Sequence, residues 1–158
     1  MITIYTTSEP FIPSGIYIES ARGKLISLQD AVRNWPDWSV FNGQRVAIVQ
    51  GPHRLMLDSR DAGYHISWED AVKKAKEAGG RLFTRHEAID LSIARENGLE
   101  TALNILMANP LHGEYWTKDE DDNPMDVGQL AYTAQYPLFR IQPKVKRMVA
   151  AARFVFDF

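Results

Sequence analysis

The stretch SWEDAVKKAKEAGGRLFTRHEAIDL, residues 67–91, carries the strongest local pattern in this chain of 158 residues. Ser67 is a favourable helix N-cap, and apolar residues then recur at the spacing of a helix that buries one face. The glycine pair Gly79 and Gly80 supplies a C-terminal stop. The first part of the stretch therefore predicts an amphipathic helix that begins at Trp68.

Further helix signals continue from this stretch. Thr84 and Glu87 form a capping box, T-x-x-E, which predicts a helix that runs toward Gly98. Apolar residues at helical spacing predict another helix over residues 99–107, which Asn109-Pro110 ends. We therefore expect two to three packed helices in the middle of the chain.

Strand-like segments flank the helices on both sides. The segments RVAIVQ, residues 45–50, and RLMLD, residues 54–58, predict an antiparallel hairpin around Gly51-Pro52. Ser27 and Asp30 predict a short capped helix ahead of the hairpin. Other strands are predicted at residues 2–5, 15–19, 113–117, 130–133, 138–141 and 148–158. This order of elements predicts an α+β fold with a mostly antiparallel sheet.

Three segments resemble C-type lectin-like domains of an uncharacterised family found in phage tail and virion proteins and in bacterial surface proteins. Residues 67–91 are similar to that family's helix, glycine pair, R-L-P-T-x-x-E link and second helix, with Phe83 where the family has proline. EYWT, residues 114–117, is similar to its Y-W-S/T strand. KRMVAAARFVF, residues 146–156, is similar to its final strand.

The resemblance covers roughly residues 45–158 and implies a C-type lectin-like fold, a short antiparallel sheet with two to three packed helices. It implies an N-terminal extension or arm over residues 1–44, packed on a C-type lectin-like domain over residues 45–158. Lectin-like folds host sugar binding, protein binding and virion decoration. The resemblance therefore implies a fold and leaves the chemistry open.

Composition narrows the classes of function. The chain has no cysteine, which excludes disulfides, thiolate metal sites and cysteine nucleophiles. Its formal net charge of -2 argues against a nucleic-acid binder held mainly by electrostatics. Residues 1–10 have no basic region and no long apolar run, so we predict no signal peptide and no membrane insertion. We expect the protein in a virion or in the host cytoplasm.

Sequence motifs of catalysis are absent. The chain contains no G-x-S-x-G, no P-loop and no dinucleotide-binding glycine motif. No two of its histidines, His53, His65, His86 and His112, have the close spacing of a local metal motif. We therefore predict no catalytic residue, no metal and no cofactor, and we expect that the protein is not an enzyme.

Acidic side chains cluster between Asp119 and Asp126, and clustered oxygen ligands suit calcium. The spacing Asp119-x-Asp121-x-Asn123 begins like an EF-hand loop, but Pro124 stands where that loop needs glycine. A solvated acidic turn is the favoured interpretation. Part of the segment is predicted to contact a ligand: Asp121, Asp122 and Asn123.

Aromatic residues concentrate beside the predicted turns and strand ends. Trp68 and Trp116 are assigned to the core. Tyr115 alternates with Trp116 along its strand, so one of the two can face outward. Tyr132 and Tyr136 lie where lectin-like folds display their ligand surface. We therefore predict Tyr115, Tyr132 and Tyr136 as ligand contacts.

A short basic cluster, Lys144, Lys146 and Arg147, is interpreted as a solvated turn, with contact to a phosphate or an acidic partner left open. Together these observations favour a non-enzymatic binding or structural module. The first hypothesis is a phage virion protein, tail or capsid-associated, that contacts a neighbouring protein or a host surface glycan through loops between Gly113 and Pro143. Homo-oligomers are expected for such components. The alternative is a small intracellular, phage-encoded regulator or inhibitor that binds a host protein.

Overall fold

The computed structural model describes residues 2–19, 23–34, 45–121 and 128–158, and these contain twelve strands and four helices. The strands are β1 Ile4–Thr6, β2 Gly15–Glu19, β3 Lys24–Ser27, β4 Arg45–Gln50, β5 His53–Asp58, β6 Gly63–Ile66, β7 Arg81–Leu82, β8 Gly113–Glu120, β9 Leu130–Tyr136, β10 Arg140–Val145, β11 Ala150–Ala152 and β12 Phe154–Phe156. The helices are α1 Leu28–Arg33, α2 Trp68–Glu77, α3 Arg85–Glu96 and α4 Leu99–Ile105.

The predicted α+β class, with its short C-type lectin-like sheet and two to three packed helices, is wrong. The described residues are mostly β, with 41% in strands and 25% in helices, and the strands form sheets of seven and five. Several strands are too short to show alternation between apolar and polar residues; β7 has two residues, and β11 and β12 have three each. Sequence periodicity therefore underestimates the strand content.

The chain divides into two compact units. Unit 1 consists of residues 1–59, 94–110 and 156–158, and unit 2 consists of residues 60–93 and 111–155. Each unit is therefore assembled from separate stretches of the chain. The division predicted at residue 44 falls within residues 35–44, which lie outside the described residues.

Unit 1 contains five antiparallel strands in the order β1-β3-β2-β4-β5. The predicted hairpin is confirmed, because β4 pairs with β5 from Arg45 opposite Asp58 to Gln50 opposite His53. The short capped helix is also confirmed as α1, where the Ser27 hydroxyl accepts a hydrogen bond from the backbone N–H of Asp30. The buried cluster of this unit is almost entirely apolar: Ile12, Tyr17, Leu25, Ala47, Val49 and Met56.

Two C-terminal phenylalanines extend this cluster, and an arginine covers each ring. The guanidinium of Arg45 lies 3.7 Å from the ring centre of Phe156, and that of Arg54 lies 4.5 Å from the ring centre of Phe158. Arg54 also donates to the carbonyl of Glu9 at 2.7 Å. The N-terminal and C-terminal stretches of unit 1 are thereby held at the same arginine.

Unit 2 contains the five-stranded sheet, in the order β10-β9-β8-β11-β6. Its pairs are antiparallel except β8 with β11, where Ala151 is opposite Tyr115 in a parallel arrangement. The single closing strand predicted over residues 148–158 is wrong. Arg153 separates β11 from β12, and β12 pairs instead with β7 in the other sheet.

The capping motifs of the central helices are confirmed. The Ser67 hydroxyl accepts from the backbone N–H of Asp70 at the start of α2. Before α3, the Thr84 hydroxyl accepts from the Glu87 N–H at 3.0 Å, and the Glu87 carboxylate accepts from the Thr84 N–H at 2.9 Å. Gly79 adopts a left-handed conformation, with φ of 80°, just after α2. Such local signals fix where these helices begin and end.

Candidate functional site

Two of the three predicted contact tyrosines are buried. Tyr115 has 0% and Tyr136 has 1% of its surface exposed, and their ring centres lie 6.2 Å apart. The Tyr136 hydroxyl donates to the carbonyl of Ala88 in α3 at 2.6 Å. Tyr115 lies in a strand, as predicted, whereas Tyr136 belongs to strand β9 and not to the irregular region that was predicted. Since a ligand cannot reach rings without exposed surface, these two tyrosines serve the core.

Tyr115 and Trp116 point to opposite faces of strand β8, yet both are buried. Trp116 is also 0% exposed, and its indole N–H donates to the carbonyl of Ile66 at 2.7 Å. Strand β8 is therefore covered on both of its faces at this point. Trp68 is half-buried, and its indole N–H donates to the carbonyl of Thr117 at 2.9 Å.

Tyr115 belongs to a buried polar network that the sequence did not reveal. Asp61 Oδ2 lies 3.3 Å from the Tyr115 hydroxyl, and Asp61 Oδ1 accepts from Arg153 Nε at 2.7 Å. The side chains of Arg153 and Asp61 are 0% and 4% exposed. Burial raises the pKa of Tyr115 to about 12; the positive charge of Arg153 opposes this rise and the negative charge of Asp61 adds to it. The network stabilises unit 2 and has little access to solvent.

Tyr132 is the predicted tyrosine that keeps exposed surface, since it is half-buried. The guanidinium of Arg85 lies 4.1 Å from its ring centre. Arg85 also contacts Asp119, whose carboxylate accepts from the Arg85 backbone N–H at 2.6 Å. One face of the Tyr132 ring is therefore covered by an arginine that is itself held in place.

The acidic segment does not gather its carboxylates at one point. Strand β8 extends to Glu120, so Asp119 and Glu120 belong to a strand and not to the predicted turn. Asp119 pairs with Arg85, whereas Glu120 pairs with Lys146. Asp121 is half-buried, and Asp122 and Asn123 lie outside the described residues. Within the described ranges, no three His, Asp or Glu side chains are grouped as metal ligands.

The interpretation of the basic cluster as a solvated turn is wrong for two of its three members, Lys144 and Lys146, whereas Arg147 is exposed in a turn. Lys144 lies in β10 and pairs with Glu114 at 2.6 Å. Lys146 is 8% exposed, contacts Glu120, and holds its ammonium 4.3 Å from the ring centre of Trp68. Both lysines are held in place because carboxylates on β8 lie within reach of their ammonium groups.

Glu114 links three strands of the sheet in unit 2. Its carboxylate accepts hydrogen bonds from Thr133 at 2.8 Å, Gln142 at 3.1 Å and Lys144 at 2.6 Å. Burial raises the pKa of Glu114, but these hydrogen bonds outweigh burial and leave the pKa below its ordinary value. This carboxylate is charged at neutral pH and ties β8 to β9 and β10.

An exposed apolar turn joins β9 to β10, and we call residues 137–139 the apolar turn. Leu138 is 85% exposed and Phe139 is 37% exposed. The turn begins with a cis peptide bond between Tyr136 and Pro137. The ring of Phe139 lies 5.6 Å from the ring of the buried Tyr136, measured between centres. Leu138 falls within the contact surface predicted between residues 113 and 143, but it was predicted as part of a strand and not as a contact residue.

A cavity of about 370 Å³ opens beside the start of α2, and we call it the α2 cleft. Its described walls come from Ser67 and Glu69 at the start of α2, from Gly128 and Gln129, and from residues 145–147 at the end of β10. Of the lining residues that the structure describes, three carry charge: Glu69, Lys146 and Arg147. The cleft thus brings together residues of unit 2 that are far apart in the sequence.

A scan with models of protein families finds no match to this chain, and a search of curated protein sequences finds none either. The resemblance to C-type lectin-like domains therefore stays a prediction. In the part of the chain that the structure describes, no helix has both the length and the apolar character needed to cross a bilayer.

Proposed function

We propose that this chain is a non-enzymatic binding module, a tail or capsid-associated component of a phage virion, and that its apolar turn contacts a neighbouring protein. One observation carries this proposal: Leu138 is 85% exposed next to Tyr136, which is 1% exposed. An apolar side chain held in water gains free energy when a partner covers it. The turn therefore has the chemistry of an interface anchor.

The surroundings of Leu138 keep the turn in one position. Tyr136 is tied to α3 through its hydroxyl, and Phe139 packs on the Tyr136 ring. A surface that is already ordered loses little conformational entropy when it binds. The turn can accordingly contribute more to affinity than a mobile loop of the same composition.

The proposal assigns no catalytic role to this chain, and the ion pairs of three carboxylates in unit 2 support that part of it. Asp61, Glu87 and Glu114 each pair with a cation inside the fold. These pairs hold strands and helices together. The phage setting is supported by the resemblance of residues 67–91, 114–117 and 146–156 to phage-associated sequences.

The proposal is tested by placing a photo-crosslinking amino acid at Leu138 and irradiating assembled virions. We expect one crosslinked virion protein. Met148, which is 53% exposed in the same unit, provides the matched control position. A crosslink that forms equally from both positions would count against a specific interface at the turn.

A substitution provides the second arm of this test. Leu138→Asp should reduce incorporation into virions at least tenfold, whereas Met148→Asp should leave it unchanged. Thermal unfolding of both variants checks that neither change disturbs the fold. If the chain is missing from virions and Leu138 crosslinks instead to one host protein, the intracellular regulator replaces this proposal. If host glycans displace the crosslinked partner, binding of a host surface glycan replaces the proposed contact with a neighbouring protein.

A further inference from the structure

The α2 cleft contains two exposed charges of opposite sign. Glu69 lies in the first turn of α2, and Arg147 lies just after β10. Both side chains are exposed, and neither takes part in any ion pair found among the described residues. Opposite charges in one cavity that do not pair with each other are both available to a ligand.

The third charge of the cleft is already compensated. Lys146 is 8% exposed, contacts the Glu120 carboxylate and lies against the Trp68 ring. Its ammonium is therefore occupied within the fold. Among the described lining residues, the charges left for a ligand are one cation, Arg147, and one anion, Glu69.

The rest of the lining suits a small polar molecule. The Gln129 side chain is exposed and can both donate and accept hydrogen bonds. Val145 adds an aliphatic contact. The volume of about 370 Å³ falls near the lower end of the range for small-molecule sites, roughly 300–1,000 Å³.

We propose that the α2 cleft binds a small zwitterion, a free α-amino acid, with its carboxylate on Arg147 and its ammonium on Glu69. A guanidinium matches a carboxylate in geometry and can bind it through two hydrogen bonds. A ligand with only negative charge would meet repulsion from Glu69, and one with only positive charge would meet repulsion from Arg147. This site is separate from the apolar turn and goes beyond the proposed protein contact.

The test is an NMR titration of the full chain, isotopically labelled, with four L-amino acids: serine, glutamine, leucine and phenylalanine. At least one should produce saturable shifts at the backbone amides of Ser67, Gly128 and Gln129, with a dissociation constant in the millimolar range or tighter. Shifts that do not saturate for any of the four, or that map elsewhere in the chain, overturn the proposal.

Derivatives of the amino acid that binds test each charge. The N-acetyl derivative lacks the ammonium, and the α-amide lacks the carboxylate. Each should bind roughly tenfold more weakly than the parent, as expected for the loss of one charge-assisted hydrogen bond. Binding of both derivatives as tight as that of the parent overturns the proposal.

Two variants assign the charges to residues. In Arg147→Gln, the parent amino acid and its α-amide should bind equally, because the partner of the ligand's carboxylate is gone. In Glu69→Gln, the parent and its N-acetyl derivative should bind equally, because the partner of the ligand's ammonium is gone. Lys73→Gln, at an exposed position on α2, is the control and should change neither preference. Preferences that survive in both cleft variants overturn the assignment. Any of these failures leaves the apolar turn, and the function proposed for it, untouched.

Discussion

The two units differ in what they bury. Unit 1 buries aliphatic side chains such as Ile18, Val46 and Leu57, and the buried polar or charged residues found in the described chain all lie in unit 2. Those residues are Thr117, Thr133, Lys146 and Arg153. Apolar contacts are not directional, whereas buried polar groups need a specific partner. We infer that unit 1 loses little stability when a substitution conserves volume, and that unit 2 loses more when a buried polar group loses its partner.

The aromatic residues of unit 2 follow the same principle. Their polar atoms reach backbone carbonyls: Trp68 to Thr117, Trp116 to Ile66, and Tyr136 to Ala88. Each ring therefore has a position fixed by a hydrogen bond as well as by packing.

Replacing Arg153 with methionine should destabilise the protein most. The change keeps most of the side-chain volume but leaves the Asp61 carboxylate buried without its cation, which costs about 3–5 kcal/mol. Urea unfolding measures the loss. The double variant Asp61→Leu, Arg153→Met removes both charges and should regain most of it. If Arg153→Met alone is as stable as the double variant, the buried charges of unit 2 do not depend on their partners as expected.

Tyr115→Phe should change stability at alkaline pH. The pKa of Tyr115 is raised to about 12 in the folded chain, so the unfolded chain releases this proton first as pH rises. Tyr115 therefore favours folding below about pH 10, and this contribution is lost as pH rises to about 12. The loss amounts to roughly 2–3 kcal/mol. Thermal melts of both proteins across this range should show a smaller decline for Tyr115→Phe.

Matched substitutions compare the units directly. Tyr136→Phe removes one hydroxyl from unit 2 and leaves the Ala88 carbonyl without that donor, which should cost about 2 kcal/mol. Leu57→Met in unit 1 conserves volume at a residue that is 0% exposed and should cost about 1 kcal/mol or less. Unfolding by urea gives both values. The reverse ranking would remove the distinction between the units.

Among the substitutions of polar residues, the smallest loss of stability is expected at Glu87, which is only partly buried. Burial raises its pKa, but hydrogen bonds from Arg81 and Thr84 outweigh burial, so the pKa lies below its ordinary value. A lowered pKa stabilises the fold above the unfolded value of 4.5, and this contribution is lost as pH falls through the lower pKa of the folded chain. Glu87→Gln should therefore cost about 1 kcal/mol at pH 7, and the cost should shrink steadily as pH falls below 4.5. Equal losses at pH 7 and below pH 4.5 would contradict this origin.

Signals within a few residues were read correctly from the sequence. The caps at Ser67 and Thr84 and the hairpin over residues 45–58 depend on neighbouring residues and are present as predicted. The pairing of Arg153 with Asp61 spans 92 residues, and no local pattern indicates it. The interruption of the closing strand at Arg153 was missed for the same reason.

The candidate contacts show a related limit. Alternation along β8 distinguishes two faces but does not indicate that other elements cover both, so Tyr115 was expected near the surface and is buried. Leu138 had a usable signal, since it is apolar and directly follows a proline next to a predicted strand end. The α2 cleft had none, because Glu69 and Arg147 are 78 positions apart by their numbering, 147 minus 69.

The last nine residues described, 150–158, have a consequence for synthesis. Ala151 pairs with Tyr115 in unit 2, and Phe156 and Phe158 pack on the core of unit 1. A ribosome adds these residues after the other residues of both units, so neither unit can be completed before residues 150–158 have left the ribosome. A nascent chain that stalls shortly before residue 150 would therefore present two unfinished cores to chaperones and proteases.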